Sequence, residues 1–250
     1  MNNYGIIHTI GLVLLLYAQS SLGAPCFSTL YPRILGGTSG TTTFHAIDLE
    51  PLQKLDLVIG GETSDSGIIG TLFAAPDPII LYMVNGGLYK WGFGFRGVDL
   101  DRVNSVRFNP LGTKIHALVV NSLTWYLALI QPSDGTLLKV IKDGDNRPGI
   151  YLKSGGHMLV DSADNVYLGY LGVNTGSSPL VNLWQLFKIN TASIALTFTA
   201  SMSLTNYRKD ASTRANIYDI IFSADASIII IAAALVKDDD YRYYAGIYGI

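Results

Sequence analysis

One segment recurs four times along this chain in degenerate form, and it constrains the fold more than any other feature. Each copy is an apolar run, a polar turn and a second apolar run. The copies are Ala46 to Gly60, Val106 to Leu118, Met158 to Gly169 and Asp219 to Ala232. Aligned on the last apolar residue before the turn (Leu49, Phe108, Val160 and Phe222), they stand 59, 52 and 62 residues apart. Self-similarity at a fixed period of this size marks a solenoid, an array or a propeller.

The content of each interval reads as strands. Runs of four to eight residues rich in Val, Ile, Tyr and Phe alternate with Gly, Pro, Asn and Asp. After Phe108 come the turn Asn109 to Gly112, a strand Ile115 to Val120, a strand Trp125 to Ile130, the turn Pro132 to Gly135 and a strand from Leu137 to Ile141. Asp134-Gly135 between two apolar runs is a hairpin signal, because glycine accepts the positive φ such turns require. The third interval repeats the scheme with Val166 to Leu171, Leu183 to Ile189 and Ile194 to Phe198. In the first interval the expected strands are Leu55 to Ile59, Ile68 to Phe73, Ile79 to Val84 and Leu88 to Phe93. No long helix is expected after the first residues.

The fold class expected is therefore all-β, a β-propeller with long four-stranded blades of ~52–62 residues and about four blades present. Two closures fit the length. A composite blade can join strands from both ends of the chain. Alternatively the chain is the leading part of a longer, incomplete ring, and this is preferred because the sequence stops at Ile250 within an apolar run. Either leaves strand edges that invite pairing with another chain.

Residues 1–23 read as a signal peptide and residues 24–250 as the propeller domain. Gly5 to Ala18 is mostly apolar, and Ser21 and Gly23 occupy the −3 and −1 positions of a cut before Ala24. The expected location is extracellular, with no membrane span in the mature chain. Ile228 to Val236 is too short to cross a bilayer and reads as a buried strand. Cys26 is the only cysteine, so no internal disulfide forms and Cys26 is a candidate for an interchain bond. Charged residues make up 14% of the chain, against a usual ~25%. With a net charge of −2 and no basic run, nucleic acid is not an expected partner.

The turn at Val160-Asp-Ser-Ala-Asp-Asn-Val-Tyr-Leu-Gly169, with the later strand Leu186-Phe-Lys-Ile189, resembles the secreted β-propeller repeat abbreviated SBBP. Ile130-Gln-Pro-Ser-Asp-Gly-Thr-Leu138 is similar to the same class. Ala163-Asp164 departs from it, standing where the family has glycine before Asn165. The resemblance implies an extracellular propeller and no shared catalytic residues.

If the segment before each turn is an innermost strand, His45, Asp48, Arg107, His157, Asp161 and Asp219 lie at or beside the central channel. Such groups can do acid–base work; Asp and His at strand ends also satisfy turn backbone. His45, His116 and His157 show no metal-ligand spacing. Asp143 to Asn146 opens like a calcium loop but lacks the later oxygen ligands. Asp238 to Asp240 reads as a solvated loop, so no metal or cofactor is expected. Two functions remain open. One is a non-catalytic binding or scaffold module, a structural subunit of a surface layer, adhesion complex or filament with other protein chains as partners. The other is an extracellular hydrolase or lyase acting on glycans at the channel.

Overall fold

A computed structural model describes residues 40–52, 55–69, 76–85, 87–95, 100, 102–120, 124–142, 150–174, 181–192, 195–203, 214–222, 228–237 and 240–249. The expected signal segment, Cys26, the Asp143 loop and most of the Asp238 run lie outside them. Among the described residues the secondary structure is almost wholly β. The first sheet is β1 (Thr42–Leu49), β2 (Leu57–Thr63), β3 (Asp77–Val84) and β4 (Leu88–Gly94). The second is β5 (Arg102–Phe108), β6 (Ile115–Val120), β7 (Trp125–Ile130) and β8 (Leu137–Lys142). The third is β9 (Ile150–Val160), β10 (Asn165–Asn174), β11 (Val181–Asn190) and β12 (Ala195–Ser203). The fourth has β13 (Arg214–Phe222), β14 (Ile228–Lys237) and β15 (Asp240–Gly249). Every sheet is an antiparallel meander in chain order, so each strand is followed in sequence by its spatial neighbour.

The strand expected over Ile68 to Phe73 does not start at Ile68. Ser66–Ile69 is instead a single helical turn, α1. Asp65 explains it: Asp65 Oδ1 accepts the Gly67 N–H at 2.7 Å and the Asp65 carbonyl accepts the Ile68 N–H at 3.3 Å. A carboxylate that satisfies the first amides starts a helix rather than a strand. Residues 70–73, the rest of that expected strand, are outside the described set.

The first strands carry a common irregularity. Each breaks register with its neighbour by a bulge five residues before its end: at Phe44/Ala46 in β1, Val103/Ser105 in β5 and Ile217/Asp219 in β13. In β9 the break falls between Ser154 and His157. A bulge sharpens the local twist and re-aims a side chain. The sheets pack in succession through these strands. β5 lies against β1 and β2, β9 against β5, and β13 against β9 and β10.

The cores lie in these seams. Between the first and second sheets, Val58, Ile80 and Tyr82 pack on Val103, Val106, Phe108, Ala117 and Ile130. Between the second and third, Leu118, Trp125, Leu127 and Ile141 pack on Met158, Leu168, Phe187 and Ile189. The second sheet is thus buried on both faces, which is why β6 and β7 read as continuous apolar runs rather than alternating ones. Gly60 supplies room at the first seam: a Cβ there would stand 2.6 Å from Val103 Cγ1. Successive meanders stacked through their first strands make the fold propeller-like.

The outer strands repeat a second contact. Trp91 on β4 donates its indole N–H to the Pro132 carbonyl in the β7–β8 turn at 2.8 Å. Lys139 on β8 donates to the Thr191 carbonyl in the β11–β12 turn at 2.6 Å. The hairpin expected at Asp134-Gly135 is present, with Gly135 at φ 77° and its Cα face against the Trp91 ring. Gly135→Val is expected to cost about 1–2 kcal/mol through backbone strain, with more added by the clash on Trp91. Urea midpoints of wild type and variant measure this; an unchanged midpoint would contradict the assigned turn.

Candidate functional site

Turn chemistry decides where the polar side chains go. The turns joining first and second strands are built alike. Asn109 Oδ1 accepts the N–H groups of Thr113 and Lys114 at 2.8 and 3.0 Å. Asp161 Oδ1 accepts those of Ala163 and Asn165 at 2.9 and 2.8 Å, and Oδ2 accepts from Asn165 Nδ2 at 2.8 Å. The fourth residue of each turn is left-handed: Gly112 at φ 65° and Asp164 at φ 65°. Asp164 therefore occupies a glycine position, at a cost of about 1 kcal/mol.

That residue faces the preceding sheet in both turns. A Cβ on Gly112 would meet the Glu50 carboxylate of the first sheet. Asp164 meets the second sheet, where Lys114 Nζ binds its Oδ2 and His116 Nε2 lies 3.4 Å from its Oδ1. Thr191 Oγ1 donates to the Asp164 carbonyl at 2.9 Å, so the third sheet holds the turn from behind. The result is a polar cluster of Lys114, His116, Asp164 and Thr191 that pins the second seam.

His116 is the unusual member. It is fully buried, and neither ring nitrogen makes an aligned hydrogen bond. Burial drives its pKa down to about 4, Asp164 and the Arg107 main chain oppose that, and Lys114 reinforces it. His116 is sealed in the seam, and the contact of Lys114 with Asp164 joins the second sheet to the third. In sequence His116 shows only as one of three widely spaced histidines. Its register beside a turn carboxylate of the next sheet is a tertiary fact.

The other expected site residues are distributed along the first strands. His45, at the β1 bulge, stands 3.6 Å from Glu62; its pKa is lowered mainly by burial, with Glu62 opposing and Arg102 adding. Asp48 accepts the Phe108 N–H at 2.7 Å, tying β1 to β5. Burial raises the Asp48 pKa, while the Phe108 N–H and Arg107 oppose the rise. Arg107 donates to the Val106 carbonyl at 3.1 Å. His157 pairs in register with Gly169, and Asp219 lies at the β13 bulge opposite Ala232. Asp48 and Arg107 are brought together, whereas Asp161 serves its own turn. At the second bulge Asn104, which sequence reasoning passed over, donates to the Gly156 carbonyl of the next first strand at 2.7 Å. No group of three or more His, Cys, Asp or Glu suited to a metal occurs among the described residues.

One groove has a mostly apolar lining. It measures about 630 Å³ and runs between β4 and the β7–β8 pair, lined by Phe93, Phe95, Leu100, Tyr126 and Val140. Its volume lies within the ~300–1,000 Å³ typical of ligand clefts. Among described residues no helix is long and apolar enough to cross a membrane.

No family model matches the chain, and no curated protein matches it. Solved structures do, and they include propeller-like proteins. A nidogen/laminin complex aligns over 83% of this chain and 66% of its own, at 10% identity and TM-score 0.44. A putative 6-phosphogluconolactonase from Bacteroides uniformis aligns over 84% and 56%, at 10% identity and TM-score 0.42. A subtype N11 neuraminidase-like protein of a flat-faced bat isolate from Peru aligns over 78% and 57%, at 13% identity and TM-score 0.40. This chain spans less than two thirds of the length of each.

The His116 pKa sets a pH dependence. The folded value, about 4, lies below the ordinary histidine value of about 6.5, so the unfolded chain binds the proton more tightly. The stability contributed by neutral His116 is full above pH 6.5 and is lost as pH falls toward 4. Relative to His116→Leu, wild type is expected to lose on the order of 3 kcal/mol between pH 7 and pH 4. Urea unfolding of both proteins across that range measures the difference; parallel profiles would contradict a buried neutral imidazole.

Proposed function

We propose that the chain is a secreted, non-catalytic binding and scaffold module of the β-propeller class. In this reading the sheets are long blades, residues 1–23 direct export, and other protein chains are the partners. The module contributes to an extracellular surface layer, adhesion complex or filament. The apolar groove is the observation that carries the reading. It offers aromatic and branched aliphatic surface with few polar groups, which suits capture of an apolar side chain or small apolar ligand. The polar groups with acid–base capacity support it too. Asp48, Asp161 and Asp164 are engaged by backbone amides or by the seam cation.

The groove is tested with an apolar fluorescent probe such as anilinonaphthalene sulfonate. Val140 is half exposed on the groove wall, so Val140→Lys is expected to leave stability within ~0.5 kcal/mol. Probe binding is expected to saturate in wild type and to weaken at least ~5-fold in the variant, as a charge placed on an apolar wall requires. Absence of saturable binding, or equal binding by both proteins, would count against the groove as the site.

A further inference from the structure

Strand register carries a cation to one end of the apolar groove. Val119 pairs with Tyr126 across β6 and β7, and Tyr126 pairs with Lys142 across β7 and β8. Directly paired residues share a face of the sheet. Lys142 therefore belongs to a row whose other two members, Val119 and Tyr126, line the groove. Ala128 and Val140 pair in a row on the same face, and both line it. Lys142 is exposed at the end of β8, with its Nζ 6.0 Å from the centre of the Tyr126 ring. An ammonium has three N–H donors and serves more than one acceptor.

The other end carries the opposite charge. The groove reaches Gly135 in the β7–β8 turn, and Asp134 beside it is exposed, its Oδ1 accepting the Thr136 N–H at 2.9 Å. From Leu137 to Lys142 β8 runs about 16 Å, so the two charges stand well apart. Between them the wall given by the first sheet is aromatic. Tyr82 stacks on Trp91 with centroids 5.1 Å apart, and Trp91 on Phe93 at 5.9 Å. Phe93 and Phe95 then meet edge to face at 5.2 Å. These spacings are those aromatic pairs prefer, and the row ends at Phe95, in the groove. Tyr126 supplies a ring on the wall given by the second sheet.

We infer that the groove takes a small planar aromatic carboxylate, with its ring against Phe93, Phe95 and Tyr126 and its carboxylate at Lys142. The inference rests on the binding reading above and names the ligand class for that same groove. A ring placed there continues the aromatic row, a gain that an aliphatic chain of equal charge does not make. The charges set the direction: Asp134 repels a carboxylate from the turn end, and Lys142 attracts it to the other.

Fluorescence titration at pH 7 tests this with 2-naphthoate and its neutral methyl ester, on wild type and Lys142→Met, with decanoate as competitor. Methionine keeps an apolar stem beside Tyr126 and removes only the charge. Lys142→Met is expected to weaken 2-naphthoate at least ~3-fold, the scale of an exposed ion pair, and to leave the ester unchanged. Raising the salt on wild type is expected to weaken the acid and not the ester, which decides the matter if the variant does not fold. Decanoate is expected to displace 2-naphthoate at least ~3-fold less effectively than unlabelled aromatic acid does. Equal affinity of both proteins for 2-naphthoate, or displacement by decanoate as effective as by the aromatic acid, overturns the inference. Saturable binding of the ester in those same samples shows that the groove reading survives such a failure. Absence of saturable binding by acid and ester alike overturns both.

Discussion

The second, third and fourth sheets each pack their first strand on the sheet before them. A four-stranded meander buries one face poorly and two faces not at all when it stands alone. The second sheet has both faces buried because its neighbours press on it from either side, with Val103 and Val106 toward the first sheet and Leu118 and Leu127 toward the third. The recurring bulge sits at the centre of this arrangement. It turns Asn104 toward the Gly156 carbonyl of the next first strand and sets His45 beside Glu62 at the equivalent place. Small residues give the room required: Gly60 at the first seam, and Gly156 against Leu118 at the second.

Polar contacts then fix the angle and register of sheets whose apolar packing alone is permissive. Asp48 on the Phe108 amide, Trp91 on the Pro132 carbonyl and Lys139 on the Thr191 carbonyl all cross from one sheet to the next. Asp164 shows the exchange of local cost for tertiary gain. Glycine would adopt φ 65° without strain, yet the aspartate there gives Lys114 a partner across the seam. Burial of the neighbouring His116 pushes its pKa down and so favours the neutral imidazole in the second seam.

Local patterning in the sequence carried the strands well. The β6, β7 and β8 boundaries follow from apolar runs set between Asn109-Pro-Leu-Gly112 and Asp134-Gly135, since turn residues act on their nearest neighbours. Gly112 and Asp164 share a left-handed backbone at the fourth residue of their turns. What was not legible depends on contacts far apart in sequence. The run after Asp65 has the composition of a strand, and the side-chain cap on Gly67 overrides it at its start. His116 looked like an isolated histidine because Asp164 reaches it from another sheet, and the groove joins β4 to β7 and β8 across a seam. Of the residues expected at a channel, Asp48 accepts the Phe108 amide and Asp161 the amides of its own turn.

The central claim is that consecutive sheets interlock through side chains of β2 and β5. A double-mutant cycle between Gly60 and Val103 tests it most directly, because these residues are distant in sequence and belong to different sheets. Gly60→Ala alone forces a methyl toward Val103 Cγ1, and Val103→Ala alone opens a cavity. Combined, the new methyl occupies space the valine vacates. The account predicts that the double variant is more stable than the sum of the two single effects by about 1 kcal/mol or more. Strict additivity in urea unfolding would contradict it, since two residues that do not touch across a seam have no means of rescuing one another.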